Sequence, residues 1–127
     1  MTVRIFLLFA SISGFIAVGM GAFGAHALRG HLSERLMQVM ETAVQYQFYH
    51  TIALLIVALL LRQHSSRLLS GSGVAFATGI ILFSGSLYVL AFTGQHWLGA
   101  ITPFGGIAFL TGWVLLAIHA LTNQRGQ

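Results

Sequence analysis

The 127-residue sequence contains no cysteine, no lysine and no aspartate, and charged residues make up only 6% of it. Without cysteine there is no disulfide framework, no thiolate metal site and no cysteine nucleophile. Soluble domains usually carry about a quarter charged residues. Hydrophobic residues make up 57% of the sequence, and a chain this short cannot bury so many apolar side chains in one soluble core. These shortages exclude a soluble enzyme, a disordered tail and an acidic binding module, and they indicate a membrane protein.

The few charges are mostly basic, with six arginines against two glutamates and a formal net charge of +4. The arginines are spread along the chain without forming a basic stripe, and no RNA- or DNA-binding motif occurs. We therefore predict no nucleic-acid partner. In a membrane protein, scattered arginines indicate topology and contact anionic lipid. The lipid bilayer is the predicted partner, and an unidentified membrane protein is a second partner that the sequence leaves open.

Four long apolar runs account for most of the chain. About twenty helical residues cross a hydrocarbon core of about 30 Å. We predict an all-α fold, an integral membrane four-helix bundle that forms a single transmembrane domain over residues 1–127. The first run is longer than a signal-peptide core, so we expect it to be retained as a span. The predicted spans are about 5–25, 43–61, 73–93 and 103–121.

The connections carry recognisable helix-end signals. Residues 32–42 place apolar side chains at helical spacing between polar ones. This pattern predicts a short interfacial amphipathic helix between spans 1 and 2 that is capped by Ser33 and runs into the second span. Thr102-Pro103 suits the start of the fourth helix, because proline is tolerated at the first helical position. Gly94 is expected to end the third helix, and Gly71 and Gly73 to interrupt the chain before it.

Arginine counting predicts the orientation. With four spans, both termini lie on the same side of the membrane. That side carries four arginines and the opposite side two, which favours a bacterial inner-membrane protein with its N- and C-termini in the cytoplasm. The four are Arg4, Arg62, Arg67 and Arg125, and the two are Arg29 and Arg35.

Small residues recur at helical spacing on the predicted first span and again on the third and fourth. Such stripes let helix backbones approach closely in lipid. The stripe is consistent with packing inside one bundle or with a homo-oligomer that uses this face. The predicted packing residues are Gly14, Ala17, Gly21, Ala25, Gly79 and Gly112.

Polar side chains within or beside the spans are the candidate site, because ionisable groups in a membrane are costly and are often functional. Helical depth places them in one layer in the outer half of the bundle. They either bond to one another across helices or line a pocket for a small molecule, a proton or an ion. The predicted pocket residues are His26, Glu41, Gln45, Gln47, His50 and Tyr88.

Histidines that bind haem or a metal have the least support of the three alternatives. His26 and His50 differ in predicted depth by one to two turns, and neither H-x-x-E-H nor H-E-x-x-H occurs. We predict no metal and no cofactor. Gly85-Ser86-Leu87-Tyr88 is not a G-x-S-x-G nucleophile motif, and no catalytic residue is predicted. The favoured function is a non-enzymatic structural or accessory membrane component, and the alternative is a binding or translocating protein that uses the polar pocket.

Five sequence blocks carry a family resemblance. They are GAFGAHAL at 21–28, YQFYHT at 46–51, GSLY at 85–88, LGAITPFGG at 98–106 and GW at 112–113. In this order and spacing they resemble the YgdD-like small membrane proteins, a domain-of-unknown-function family with bacterial and eukaryotic members. The resemblance covers nearly the whole chain and implies four spans in the bacterial inner membrane. It implies no activity, substrate or catalytic residue.

Overall fold

A computed structural model describes residues 2–123 and contains four long helices. Each is long and apolar enough to cross a bilayer, which confirms the all-α membrane fold. Helix α1 is Thr2–Leu28, α2 is Glu34–Gln63 and α3 is Arg67–Thr93. A 3-10 turn at His96–Ala100 precedes α4, which is Thr102–Asn123.

The predicted amphipathic helix is continuous with the second span, into which the sequence predicts it to run. Ser33 is a helix cap, as predicted, since its hydroxyl accepts a hydrogen bond from the backbone N–H of Leu36 at 3.2 Å. The helix that begins there continues without a break to Gln63. No glycine or proline occurs between Glu34 and Gln63 to interrupt it. The charged segment is therefore the first part of α2, which with 30 residues is longer than a hydrocarbon core requires.

The prediction that Gly71 and Gly73 interrupt the chain is wrong, because both lie inside α3. This helix begins at Arg67, and the Ser66 hydroxyl caps it by accepting from the backbone N–H of Leu69 at 3.3 Å. A side chain at Gly73 would collide with the ring of Phe6 on α1. The glycine therefore allows two helices to approach, as small residues do in membranes.

Both α1 and α3 contain a π-helical turn, at Met20–Gly24 and at Ile80–Ser84. Such turns insert one extra residue into an α-helix and recur at functional sites. Downstream of Ile80–Ser84, α3 continues to Thr93. The next residue, Gly94, ends it with a φ of 71°, in the left-handed region that glycine adopts readily.

The helices pack mainly in chain order, α1 against α2, α2 against α3 and α3 against α4. Short connections make consecutive helices antiparallel. Arg4, Arg62 and Arg67 therefore lie at the same end of the bundle, while Arg125 lies outside the described residues. Beside this end, a core of large apolar side chains joins all four helices. Its members include Phe6, Leu54, Val57, Leu69, Phe76 and Phe109.

The small-residue stripe of α1 faces α2. Ala17 is fully buried, and a Cβ at Gly21 would lie 3.2 Å from Val44. One at Gly14 would lie 3.7 Å from Thr51. Ala25, further along the stripe, is half-buried. This placement favours packing within the chain.

The other two predicted packing residues lie at the interface of α3 with α4. A Cβ at Gly79 would collide with the ring of Phe109, and one at Gly112 would lie 2.6 Å from the ring of Phe76. Each glycine thus receives an aromatic ring from the opposite helix.

Candidate functional site

A network of hydrogen bonds around Gln47 joins α1, α2 and α3. The Gln47 amide donates from Nε2 to the backbone oxygen of Ser13 at 3.2 Å and to the Ser13 hydroxyl at 3.1 Å. The Tyr88 hydroxyl donates to Gln47 Oε1 at 2.5 Å. The Ser13 and Thr51 hydroxyls are 2.7 Å apart. Both the oxygen and the nitrogen of the buried amide therefore have partners on neighbouring helices.

His50 forms a second polar contact, on the side of α2 that faces α4. Trp113 donates its indole N–H to His50 Nε2 at 3.1 Å, and His50 Nδ1 lies 2.7 Å from the backbone oxygen of Tyr46. An indole N–H only donates and a carbonyl only accepts. The partners therefore assign the neutral tautomer that carries its proton on Nδ1. Both ring nitrogens are engaged by the protein.

The His50 ring is also held by stacking. Its centroid lies 3.5 Å from that of Phe109, with the two planes 8° apart. The side chain is 5% exposed. Contacts on two edges and one face hold this imidazole in a single orientation.

The remaining predicted pocket residues lie elsewhere. His26 is exposed at the end of α1, and Glu41 and Gln45 are exposed on α2. Glu41 and Gln45 line a cleft against Met20 and Gly21 of the π-helical turn of α1. They are thus separate from the buried polar groups.

The six residues therefore do not form the single layer that helical depth predicts. Gln47 and Tyr88 meet, His50 points to a different helix, and the other three lie at the surface. Depth along a helix does not determine which face of the helix a side chain occupies. The six residues are separated because they lie on different faces of their helices.

The buried sites include residues that the sequence did not predict, namely Ser13, Thr51 and Trp113 as the partner of His50. Ser13 follows Ala10 by three positions and precedes Ala17 by four, so it shares the small-residue face of α1. This spacing is therefore a sequence signal that predicts the burial of Ser13. The pairing of Trp113 with His50 has no comparable signal.

Two lateral grooves flank these polar groups. One, of about 350 Å³, opens between α1 and α3 beside the turn Ile80–Ser84, and its polar floor is formed by Ser13, Gln47 and Tyr88. The other, of about 630 Å³, lies between α2 and α4 and is lined by aromatic side chains around His50. Exposed apolar residues border both grooves, so in a bilayer both face lipid chains.

Within residues 2–123, no group of three or more histidine and acidic side chains is arranged to hold a metal ion. Two serine hydroxyls on α3 donate to backbone carbonyls of other helices. Ser72 donates to the oxygen of Gly112 and Ser84 to that of Ala43, each at 2.8 Å. Both bonds cross to another helix, so these hydroxyls connect backbones.

Comparison with known proteins places the chain among membrane proteins. Residues 20–106 match the family model described as "Protein of unknown function (DUF423)". The UPF0382 membrane protein YwdK of Bacillus subtilis is 42% identical over 119 residues, which cover 93% of this chain and 97% of the relative. The UPF0382 inner membrane protein YgdD of Escherichia coli is 42% identical over 125 residues, which cover 98% and 95%. No solved structure matches the chain.

Proposed function

Because the chain belongs to the DUF423 family of membrane proteins, we propose that it is a non-enzymatic structural or accessory component of the bacterial inner membrane. In this proposal, the buried polar side chains hold the four helices together. Their role is to give the bundle one defined packing arrangement, and the protein acts on other membrane components through its exposed surface.

One observation carries this proposal. Throughout residues 2–123, every buried side-chain nitrogen and oxygen has a hydrogen-bond partner within the protein. The partners lie across helices: Ser13 with Thr51, Gln47 with Tyr88 and His50 with Trp113. Interhelical hydrogen bonds of this kind stabilise membrane bundles. A set of polar groups that is fully paired within the protein supports a structural role.

The hydroxyls of Ser72 and Ser84 support the non-enzymatic part of the proposal, whereas the Ser66 hydroxyl, which caps α3, lies 3.1 Å from His119 Nδ1. A serine nucleophile needs an adjacent base to take its proton. Ser72 and Ser84 instead direct their protons to carbonyl oxygens, which are not bases of that kind. Their geometry is that of a helix-packing contact.

The groove between α1 and α3 favours a second candidate, a protein that binds a small lipid-soluble molecule. Tyr88 borders this groove and donates its proton to Gln47, which leaves the lone pairs of its oxygen as acceptors. A ligand with an apolar body and one hydroxyl or N–H group would fit a groove that is apolar except for this floor.

Native mass spectrometry of protein extracted in a mild detergent tests the proposal against this candidate. We expect the mass of the protein with phospholipids alone, and the same adducts for Tyr88→Phe. Tyr49→Phe is the matched control, because Tyr49 lines the other groove. A stoichiometric molecule other than phospholipid that is lost in Tyr88→Phe and retained in Tyr49→Phe would contradict the structural proposal and support the second candidate. The same spectra report the oligomeric state.

A further inference from the structure

A cleft of about 510 Å³ lies between the end of α1 and the first turns of α2. We call it the loop cleft and define it by its polar residues Arg29, Glu34, Gln38 and Glu41. It occupies the end of the bundle opposite Arg62 and Arg67. Because it joins the ends of two spans, it lies where phospholipid headgroups meet the protein.

The turn that forms this cleft is held by local bonds. Gly30 has a φ of 90°, in the region that glycine adopts readily. The N–H groups of His31 and Leu32 both donate to the backbone oxygen of Leu28, at 2.9 and 3.1 Å. The Ser33 cap then starts α2. These contacts place Arg29 beside the acidic face of the next helix.

The loop cleft contains charges of both signs. Both acidic residues of the whole chain line it, together with Arg29. In the described part of the chain, no nitrogen of Arg29 lies within 4.0 Å of a carboxylate oxygen of Glu34 or Glu41. The positive and negative side chains are therefore not paired with each other. A ligand that carries both a positive and a negative charge would be complementary to them.

The cleft of about 290 Å³ that Glu41 and Gln45 line beside the π-helical turn of α1 continues from the charged one, and the rest of its lining is apolar. The two share Met37 and Glu41, and the apolar part is lined by Met20, Met40 and Val44. Methionine side chains adapt to irregular flexible partners. The π-helical turn Met20–Gly24 forms the α1 wall of this continuation. A polar headgroup and an apolar chain thus have adjoining compartments.

We propose that the two clefts together bind an aminophospholipid of the phosphatidylethanolamine class. Its ammonium group lies against Glu34 and Glu41, its phosphate accepts hydrogen bonds from the Arg29 guanidinium, and one acyl chain enters the methionine-lined cleft. Charge-assisted hydrogen bonds of these types are among the stronger ones in proteins. An anionic phospholipid supplies no cation for the two carboxylates, which would repel its net charge.

The test is lipid binding to the purified full-length protein in detergent, measured by native mass spectrometry. The probes are phosphatidylethanolamine, phosphatidylcholine and phosphatidylglycerol with identical acyl chains. We expect phosphatidylethanolamine to bind at least about threefold more tightly than phosphatidylglycerol, as for exposed charge pairs. Equal binding of the three lipids, or preference for phosphatidylglycerol, would overturn the proposal.

Substitutions at exposed positions then assign the contacts. Glu34→Gln with Glu41→Gln is expected to abolish the preference for phosphatidylethanolamine, and Arg29→Gln to weaken binding of all three lipids about three- to tenfold. Arg35→Gln is the matched control, because this exposed arginine is outside the cleft lining. A preference that survives the glutamate substitutions, or an equal effect of Arg35→Gln, would refute the assignment.

Free glycerophosphoethanolamine distinguishes a lipid from a soluble ligand with the same headgroup. Because it lacks the chain for the apolar cleft, we expect it not to displace the bound lipid. Displacement at concentrations comparable to the lipid would show that the headgroup alone is recognised, and it would contradict the role of the methionine-lined cleft.

Discussion

Gln45 and Gln47 lie two positions apart on α2 and have opposite environments. Gln47 is 4% exposed and bonds to two other helices, whereas Gln45 is exposed. A helix turns by about 200° over two residues, so such neighbours face nearly opposite directions. The same side chain is therefore a helix-pairing group at one position and a surface group at the other.

Replacing Gln47 by methionine is expected to lower the free energy of unfolding by about 1–3 kcal/mol, because the Tyr88 hydroxyl loses its acceptor and Ser13 loses its donor. Reversible denaturation of the purified protein in mixed micelles measures the change. The matched control is Gln45→Met, for which we expect a change within about 0.5 kcal/mol. Equal effects of the two substitutions would contradict the structural role of Gln47.

At the scale of helices, the interface of α3 with α4 depends on glycines that accommodate the neighbouring helix. Gly105 is the most demanding of them, since a Cβ there would collide with the backbone nitrogen of Phe83. The adjacent Gly106 has no such neighbour within 4 Å. Phe83 belongs to the π-helical turn of α3, so the local widening of one helix meets the small residue of the other.

We predict that Gly105→Ala is destabilising by about 1–3 kcal/mol, because backbone cannot move aside without separating the helices. Gly106→Ala is the neighbouring control and is expected to be neutral or stabilising by up to about 1 kcal/mol, since alanine has the higher helix propensity. Thermal unfolding of the two variants in the same detergent provides the comparison. A loss of stability in Gly106→Ala as large as that in Gly105→Ala would show that backbone contact with Phe83 is not the cause.

At the scale of the whole molecule, the antiparallel helices give the bundle two ends, and the two ends carry different charged residues. Arg4, Arg62 and Arg67 are at one end, and the loop cleft is at the other. The excess of arginine predicts that the first of these ends faces the cytoplasm. The proposed lipid site then lies in the outer leaflet.

Because the sequence has no cysteine, single-cysteine variants test this orientation directly. Ser65 and Gln95 are exposed in connections at opposite ends of the bundle. We expect a membrane-impermeant maleimide to label Gln95→Cys in intact cells, and Ser65→Cys only after the membrane is permeabilised. The unmodified protein is the blank, since it has no thiol to react. The reverse labelling pattern would overturn the predicted topology.

The arrangement of the polar residues was predictable only in part. Gln47, His50 and Tyr88 stood out because polar side chains in apolar runs need partners. Gln47 with Tyr88 and His50 with Trp113 are contacts between residues 41 and 63 positions apart, and these pairings depend on how the helices rotate against one another. Gly71 and Gly73 show the same limit. The sequence does not distinguish a glycine that interrupts a helix from a glycine inside a helix that packs against a side chain of a neighbouring helix.

The sequence by itself determined that this is a membrane protein of four helices, because scarce charge and runs of about twenty apolar residues leave few other structures. It also determined where α3 ends, at Gly94, and where α2 begins, at the Ser33 cap. Only the tertiary structure decided which polar groups are paired inside the bundle and which line the loop cleft. The physical reason is that composition and periodicity act along one helix, whereas a hydrogen bond or a cleft depends on the relative rotation of two.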